Sequence, residues 1–164
     1  MQRMFKASML GLLMGLGLSA QAAVEVKFVE PEKFQDASES IIDRERTLEM
    51  LEAHLRSLAE KNVPSSQKLL IEVLDLNLAG QLEPRGAMMD RIRVLRSVTW
   101  PSIELRYVLS DGQATLREGK VSLSDMNYMW GLNPYTSGEP LRYEKRMLDE
   151  WFAGEFTAGA ASKP

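Results

Sequence analysis

Between Lys68 and Gly80 the chain reads KLLIEVLDLNLAG, and within that stretch the apolar residues change face. A strand points successive side chains to opposite sides, so Leu69, Ile71 and Val73 share one face while Leu74, Leu76 and Leu78 share the other. Either both faces are covered, or a bulge near Leu74 returns the later leucines to the first side. Both readings make this a central strand, and the rest of the chain must supply what covers it.

Upstream, Val24-Glu25-Val26-Lys27-Phe28 alternates apolar and charged residues, the pattern of a half-buried strand, and Pro31 ends it. Glu30 to Ala37 reads as a loop. From about Ser40 to Lys61 the period changes to that of a helix: Ile41, Leu48, Leu51, Leu55 and Leu58, with Ala59 beside them, line one face. Ser40 or Ser38 can cap its start, and Asn62 and Pro64 stop it. Downstream, Gln81 to Asp90 holds Pro84 and Gly86 and reads as a loop, while Arg91 to Trp100 reads as an extended edge segment broken at Pro101. Ile103, Leu105, Tyr107 and Leu109 alternate with polar neighbours and run into Asp111-Gly112, a strong hairpin signal. With a two-residue loop there, Glu118 falls on the apolar face unless a bulge near Gly119 places Val121 opposite Ile103. Ser124 to Gly138 is a loop. A second helix begins near Pro140, turns Leu141, Leu148, Trp151 and Phe152 inward, and ends near Phe156. The order β-α-β-β-β-α predicts an α+β, two-layer sandwich: a mixed sheet with both helices on one face.

Residues 1–22 stand apart from this pattern. Arg3 and Lys6 precede an uncharged apolar run from Ala7 to Leu18, and Ala20-Gln21-Ala22 offers small residues at a cleavage site. That is the layout of a signal peptide, and the run is shorter than the roughly 20 apolar residues a membrane span needs. Cleavage after Ala22 removes two cations and no acid, so 142 residues remain and the net charge moves from −3 to −5. The expected organisation is a signal peptide over 1–22, one α+β domain over 23–156 and a flexible tail over 157–164. A periplasmic location follows, with no stable membrane insertion once the leader is cleaved. The acidic balance argues against nucleic acid. Absence of cysteine excludes disulfides, thiolate metal sites, thiol catalysis and a lipidated N-terminal cysteine. A single histidine excludes a multi-histidine metal site within one chain.

Several longer stretches point to a known family. VEVKFVEPEKFQDA, LLIEVLDLNLAG, RVLRSVTWPSIELRYVL, LSDMNYM and EPLRYEKRMLDEWF resemble the secreted bacterial family catalogued as domain of unknown function 3016, from about Val24 to Phe156. The resemblance implies a secreted, periplasmic protein of one domain. It brings no catalytic residue and no ligand.

Read chemically, the polar residues mark out no reaction. There is no G-x-S-x-G and no glycine-rich phosphate loop, and His54 sits at the edge of an apolar helix face without a marked nucleophile beside it. Asp75 and Asn77, two apart on a strand, could begin an oxygen-ligand metal site if Asp125 and Asn127 joined them; otherwise they mark the exposed end of the strand. Arg85, Arg91, Arg93, Arg96 and Arg106 face only Asp90 and Glu104 over residues 85–106, a local excess of three positive charges. Arg91, Arg93 and Arg96 could form an anion-facing strip, or pair with the glutamates of the first helix. Tyr128, Trp130 and Tyr135 in one loop suit a recognition surface, and packing onto Trp151 and Phe152 would explain them equally. The reading that results is a non-enzymatic binding or accessory domain of the cell envelope. Its candidate contacts are Tyr128, Trp130, Tyr135, Arg91, Arg93 and Arg96, its partner an envelope component with anionic groups. It has no cofactor, metal or catalytic residue. The alternative is a carboxylate- or metal-dependent hydrolase, which would bring Asp75, Asn77 or Asp125 together with another acid or with His54.

Overall fold

A computed structural model describes residues 23–38, 40–85 and 90–156 of the chain. The expected signal peptide and tail, over 1–22 and 157–164, lie outside the described residues. Strand β1 (Ala23–Phe28) leads through a 3₁₀ turn (Pro31–Lys33) to helix α1 (Ile41–Asn62) and strand β2 (Gln67–Asn77). Strands β3 (Gln81–Arg85), β4 (Asp90–Val94), β5 (Ser102–Asp111) and β6 (Ala114–Ser124) follow, and α2 (Arg142–Phe156) closes the fold. The main sheet has the order β1-β2-β5-β6, with β1 parallel to β2 and the remaining pairs antiparallel. Both helices pack on one face of it, so the fold is α+β in two layers.

One side of the sheet meets the helices. Leu69, Ile71, Val73 and Leu76 of β2 and Ile103, Leu105 and Tyr107 of β5 are buried there against Leu51, Leu55 and Leu58 of α1 and Leu148, Trp151 and Phe152 of α2. The opposite side is charged: Arg106 pairs with Glu72 across β5 and β2, and Lys27 and Lys68 both pair with Glu25. The change of face in β2 is resolved by a bulge. Val73 pairs with Leu105 and Asp75 with Glu104, leaving Leu74 without an opposite residue and returning Leu76 to the inner side. Ser40 caps α1, its hydroxyl accepting from the Asp43 amide at 3.0 Å.

Four expectations need correction. Gln81–Arg85 is a strand, not a loop, and pairs with Asp90–Val94 as a separate two-stranded ribbon between β2 and β5. Pro84 is tolerated because a ribbon of two strands is all edge, and a proline there removes no ladder bond a third strand would need. The hairpin bulge sits at Leu116 rather than near Gly119, between the pairs Leu109–Arg117 and Ser110–Thr115, so Val121 faces Leu105 instead of Ile103. That register puts Gly119 opposite Tyr107, where a Cβ would come within 3.1 Å of the ring, so the glycine leaves room for the aromatic. The two-residue loop is Gly112-Gln113, since Asp111 still pairs with Ala114; only Gly112 has positive φ (56°), as a type II′ turn requires. Finally Ile41 is 70% exposed, and the inward stripe of α1 begins at Thr47. Spacing identifies a helix face, not how much of its length has a neighbour to cover it.

Candidate functional site

The loop from Ser124 to Gly138 is built from the inside outward. At its start the Asp125 side chain accepts from the Asn127 amide at 3.0 Å, while the Asp125 and Asn127 carbonyls accept from Tyr128 and Trp130 at 3.2 and 2.8 Å. These are consecutive turns, which the Asp and Asn side chains favour locally. Arg146 of α2 rises beneath them, only 8% exposed. Its guanidinium pairs with the Asp125 carboxylate and donates to the carbonyls of Tyr128 at 3.2 Å and Trp130 at 3.3 Å. A planar fork with five N–H donors can bind several acceptors at once, which lysine cannot do. The Tyr128 ring is buried edge-on to Tyr143 at 4.8 Å, and its hydroxyl donates to the Arg96 carbonyl at 2.8 Å. Asn133 ties the far side, accepting from the Tyr135 amide and donating to the Arg142 carbonyl.

With the polar backbone turned inward, the apolar side chains turn out. Trp130 is 74% exposed and Leu132 98%, with Met126 and Met129 also open to solvent. Four large apolar residues on one short, braced loop form a crest that a folded chain gains nothing by exposing. The three aromatics of this loop therefore divide: Trp130 faces solvent, Tyr128 is a buried brace, and Tyr135 is half-buried.

Tyr135 belongs to a second cluster. Its hydroxyl donates to Asp149 at 2.6 Å, and the other oxygen of Asp149 lies 2.9 Å from His54 Nε2, linking loop, α2 and α1. Burial holds the His54 imidazole below its ordinary value, with Asp149 opposing the shift. Burial and the Asp149 bond both push the Tyr135 phenol well above its usual range. Among the described residues no serine or threonine is hydrogen-bonded to His54, so the cluster has the base and the orienting carboxylate of a triad and no nucleophile.

The arginines are engaged in other ways. Arg93 binds Asp36 with two parallel bonds of 2.8 and 3.1 Å and also reaches the Gly80 carbonyl at 3.2 Å, clamping the β3–β4 ribbon to the segment beside β2. Arg96, just beyond β4, pairs with Glu83 of β3. Neither uses the glutamates of α1. Arg91 lines a groove of about 720 Å³ together with Gln35, Arg44, Gln81 and Trp100. The oxygen ligands considered for a metal are dispersed: Asp75 accepts from the Gln35 amide, Asn77 donates to the Trp100 carbonyl, and Asp125 is held by Arg146. Among the described residues no group of three or more acidic or histidine side chains is placed to hold a metal ion. No described helix is long and apolar enough to cross a membrane.

Residues 22–154 match the family model described as protein of unknown function (DUF3016). The chain belongs to that family. Among curated proteins and solved structures, none matches it. The loop crest of this DUF3016 member holds residues that sequence reasoning passed over. Met126, Met129 and Leu132 lacked any periodic context, and Arg146 looked like one more charge on an amphipathic helix. The signal available was the pattern of large apolar residues inside a segment otherwise rich in Asp, Asn, Gly and Pro.

Proposed function

We propose that the chain is a secreted, periplasmic binding domain of the cell envelope, without catalytic activity of its own, that engages a protein partner through the crest of the Ser124–Gly138 loop. The observation that carries this reading is Trp130, 74% exposed on a loop whose backbone Arg146 holds from below. Tryptophan is enriched among residues that dominate interface energies, and a loop already ordered loses less entropy on binding. Trp130 and Leu132 enter an apolar pocket of the partner in this scheme, while Tyr128 and Tyr135 hold them in place. Arg93 and Arg96 brace the neighbouring ribbon. Arg91 is the arginine of the strip that lines an open groove, and it is the one to meet an anionic group. The leader-like segment 1–22 supports export.

The test uses a photo-crosslinking amino acid placed at Trp130, at Leu132 and, as a control, at Leu116, an exposed apolar residue of β6. In cells that export the protein, positions 130 and 132 should yield the same adduct and position 116 none. Trp130→Ala should weaken binding of the captured protein about 30-fold, equivalent to roughly 2 kcal/mol at a hot spot. Equal labelling at all three positions, or none, would remove the basis for the proposal.

A further inference from the structure

A second cavity, about 540 Å³, lies where α1, β4 and the start of α2 meet, apart from the loop crest. Its size falls within the range of small-molecule sites, and such sites combine apolar walls with a few convergent polar groups. Met50, Leu78 and Leu95 supply the apolar wall here, and Ser137, Arg142 and Glu144 the polar groups.

The charges around the cavity are almost all accounted for. Arg93 is bound by Asp36, Glu139 pairs with Lys145, and Glu144 accepts from the Ala79 amide at 2.7 Å. Arg142 differs. Its guanidinium lies 5.1 Å from the centre of the Tyr143 ring, yet among the described residues the side chain has no hydrogen bond and no carboxylate partner. Its Nε is buried and unsatisfied, an arrangement that disfavours the protein unless something completes it. Beside it Leu141 holds a left-handed backbone with φ 56°, which a branched residue adopts only under constraint from its surroundings. That residue also carries the carbonyl that opens α2, and being leucine it offers no oxygen to cap the helix.

We infer that this cavity binds a small amphipathic carboxylate, its head paired with Arg142 and its apolar body lying against Met50, Leu78 and Leu95. A guanidinium presents two parallel N–H groups that match a carboxylate. Glu139 and Glu144 in the lining disfavour a doubly charged head such as phosphate, because like charges at short range repel.

Octanoate is the probe, with 1-octanol as the uncharged comparator and inorganic phosphate as the bare anion, each titrated into ¹⁵N-labelled protein below micelle-forming concentrations. Octanoate should shift the amides of Leu78, Ala79, Leu95 and residues 137–139 and 141–144 in a saturable way. It should bind at least about tenfold more tightly than octanol, a difference of about 1.4 kcal/mol. Arg142→Gln should erase that difference while leaving octanol binding unchanged, and Leu95→Trp, which fills the cavity, should weaken both. Four results would overturn the assignment. They are octanoate binding equal in the wild type and Arg142→Gln, shifts confined to other surfaces, no shift at all, and phosphate binding as tight as octanoate. Should Arg142→Gln fail to fold, the octanoate-to-octanol ratio in the wild type decides alone, and a ratio near one refutes the site.

Discussion

Replacing Arg146 with alanine is the perturbation that most directly probes how the loop crest is held. The side chain is nearly buried and binds the Asp125 carboxylate together with the carbonyls of Tyr128 and Trp130. Its removal leaves a carboxylate facing a void and two carbonyls without their donor. Breaking a buried ion pair by deleting one partner costs about 3–5 kcal/mol, and the partial exposure of Asp125 places the value at the lower end, about 3 kcal/mol. For a domain of this size that corresponds to a Tm lower by about 10 °C. Urea unfolding followed by circular dichroism measures the loss, and hydrogen exchange locates it. The amides of Tyr128 and Trp130, which close the two loop turns, should exchange much faster in the variant, while those of β2 and β5 speed up only in proportion to the loss of global stability. Arg146→Lys should recover part of the stability and little of the loop protection, since a single ammonium cannot span the same acceptors. A loss under about 0.5 kcal/mol with unchanged loop exchange would show that the guanidinium does not organise the crest.

Other substitutions test separate parts of the argument. Gly80→Ala would place a Cβ 2.7 Å from the Val94 carbonyl oxygen at a residue with φ 82°, so chemical denaturation should show a loss of at least about 2 kcal/mol; a neutral result would mean the ribbon can shift on the sheet. Trp130→Ala and Leu132→Ser, by contrast, should leave stability within about 0.5 kcal/mol while abolishing crosslinking at the crest, because neither residue is part of the core. His54, the one histidine of the chain, titrates below its ordinary value when folded, so the unfolded chain takes up the proton first. Its contribution to stability is therefore complete above the unfolded pKa of about 6.5 and declines as pH falls from there towards the folded value. Comparing wild type with His54→Gln across that window isolates the effect from Glu144, whose raised carboxyl acts in the opposite direction. A folded-state imidazole resonance titrating at or above 6.5 would contradict the burial argument.

Much of this architecture was legible as one-dimensional pattern. The alternation in residues 24–28, the 3.6-residue stripe of α1 and the parity switch at Leu74 each express a backbone period directly, and of the two readings the parity switch allowed, both faces covered or a bulge near Leu74, the fold has the bulge. Ser40 was readable as a cap because its chemistry acts on an amide three residues away. The loop's richness in aromatics was visible too, as was the concentration of arginine after residue 85. These features depend on neighbours close in sequence, where periodicity and side-chain chemistry suffice.

What only the tertiary structure decided were the pairings between distant residues. Nothing local tells Arg93 to choose Asp36, 57 positions away, over the acids of α1, or places Asp149 between His54 and Tyr135. The hairpin register was equally open: a bulge at Leu116 or near Gly119 satisfies the same alternation, and the bulky Tyr107 ring, pressed between Trp151 and Phe156, selects the one that sets glycine opposite it. The same holds for the loop crest. Tyr128 and Trp130 sit two residues apart and read alike, yet one ring is buried against Tyr143 and the other faces solvent, because burial is settled by what a second element brings to the site. Sequence alone thus determined most of the strands and helices, β3 excepted, and the apolar periodicity along them. Three-dimensional packing determined which charges cancel, which cation is left facing a cavity, and which tryptophan remains in water for a partner to cover.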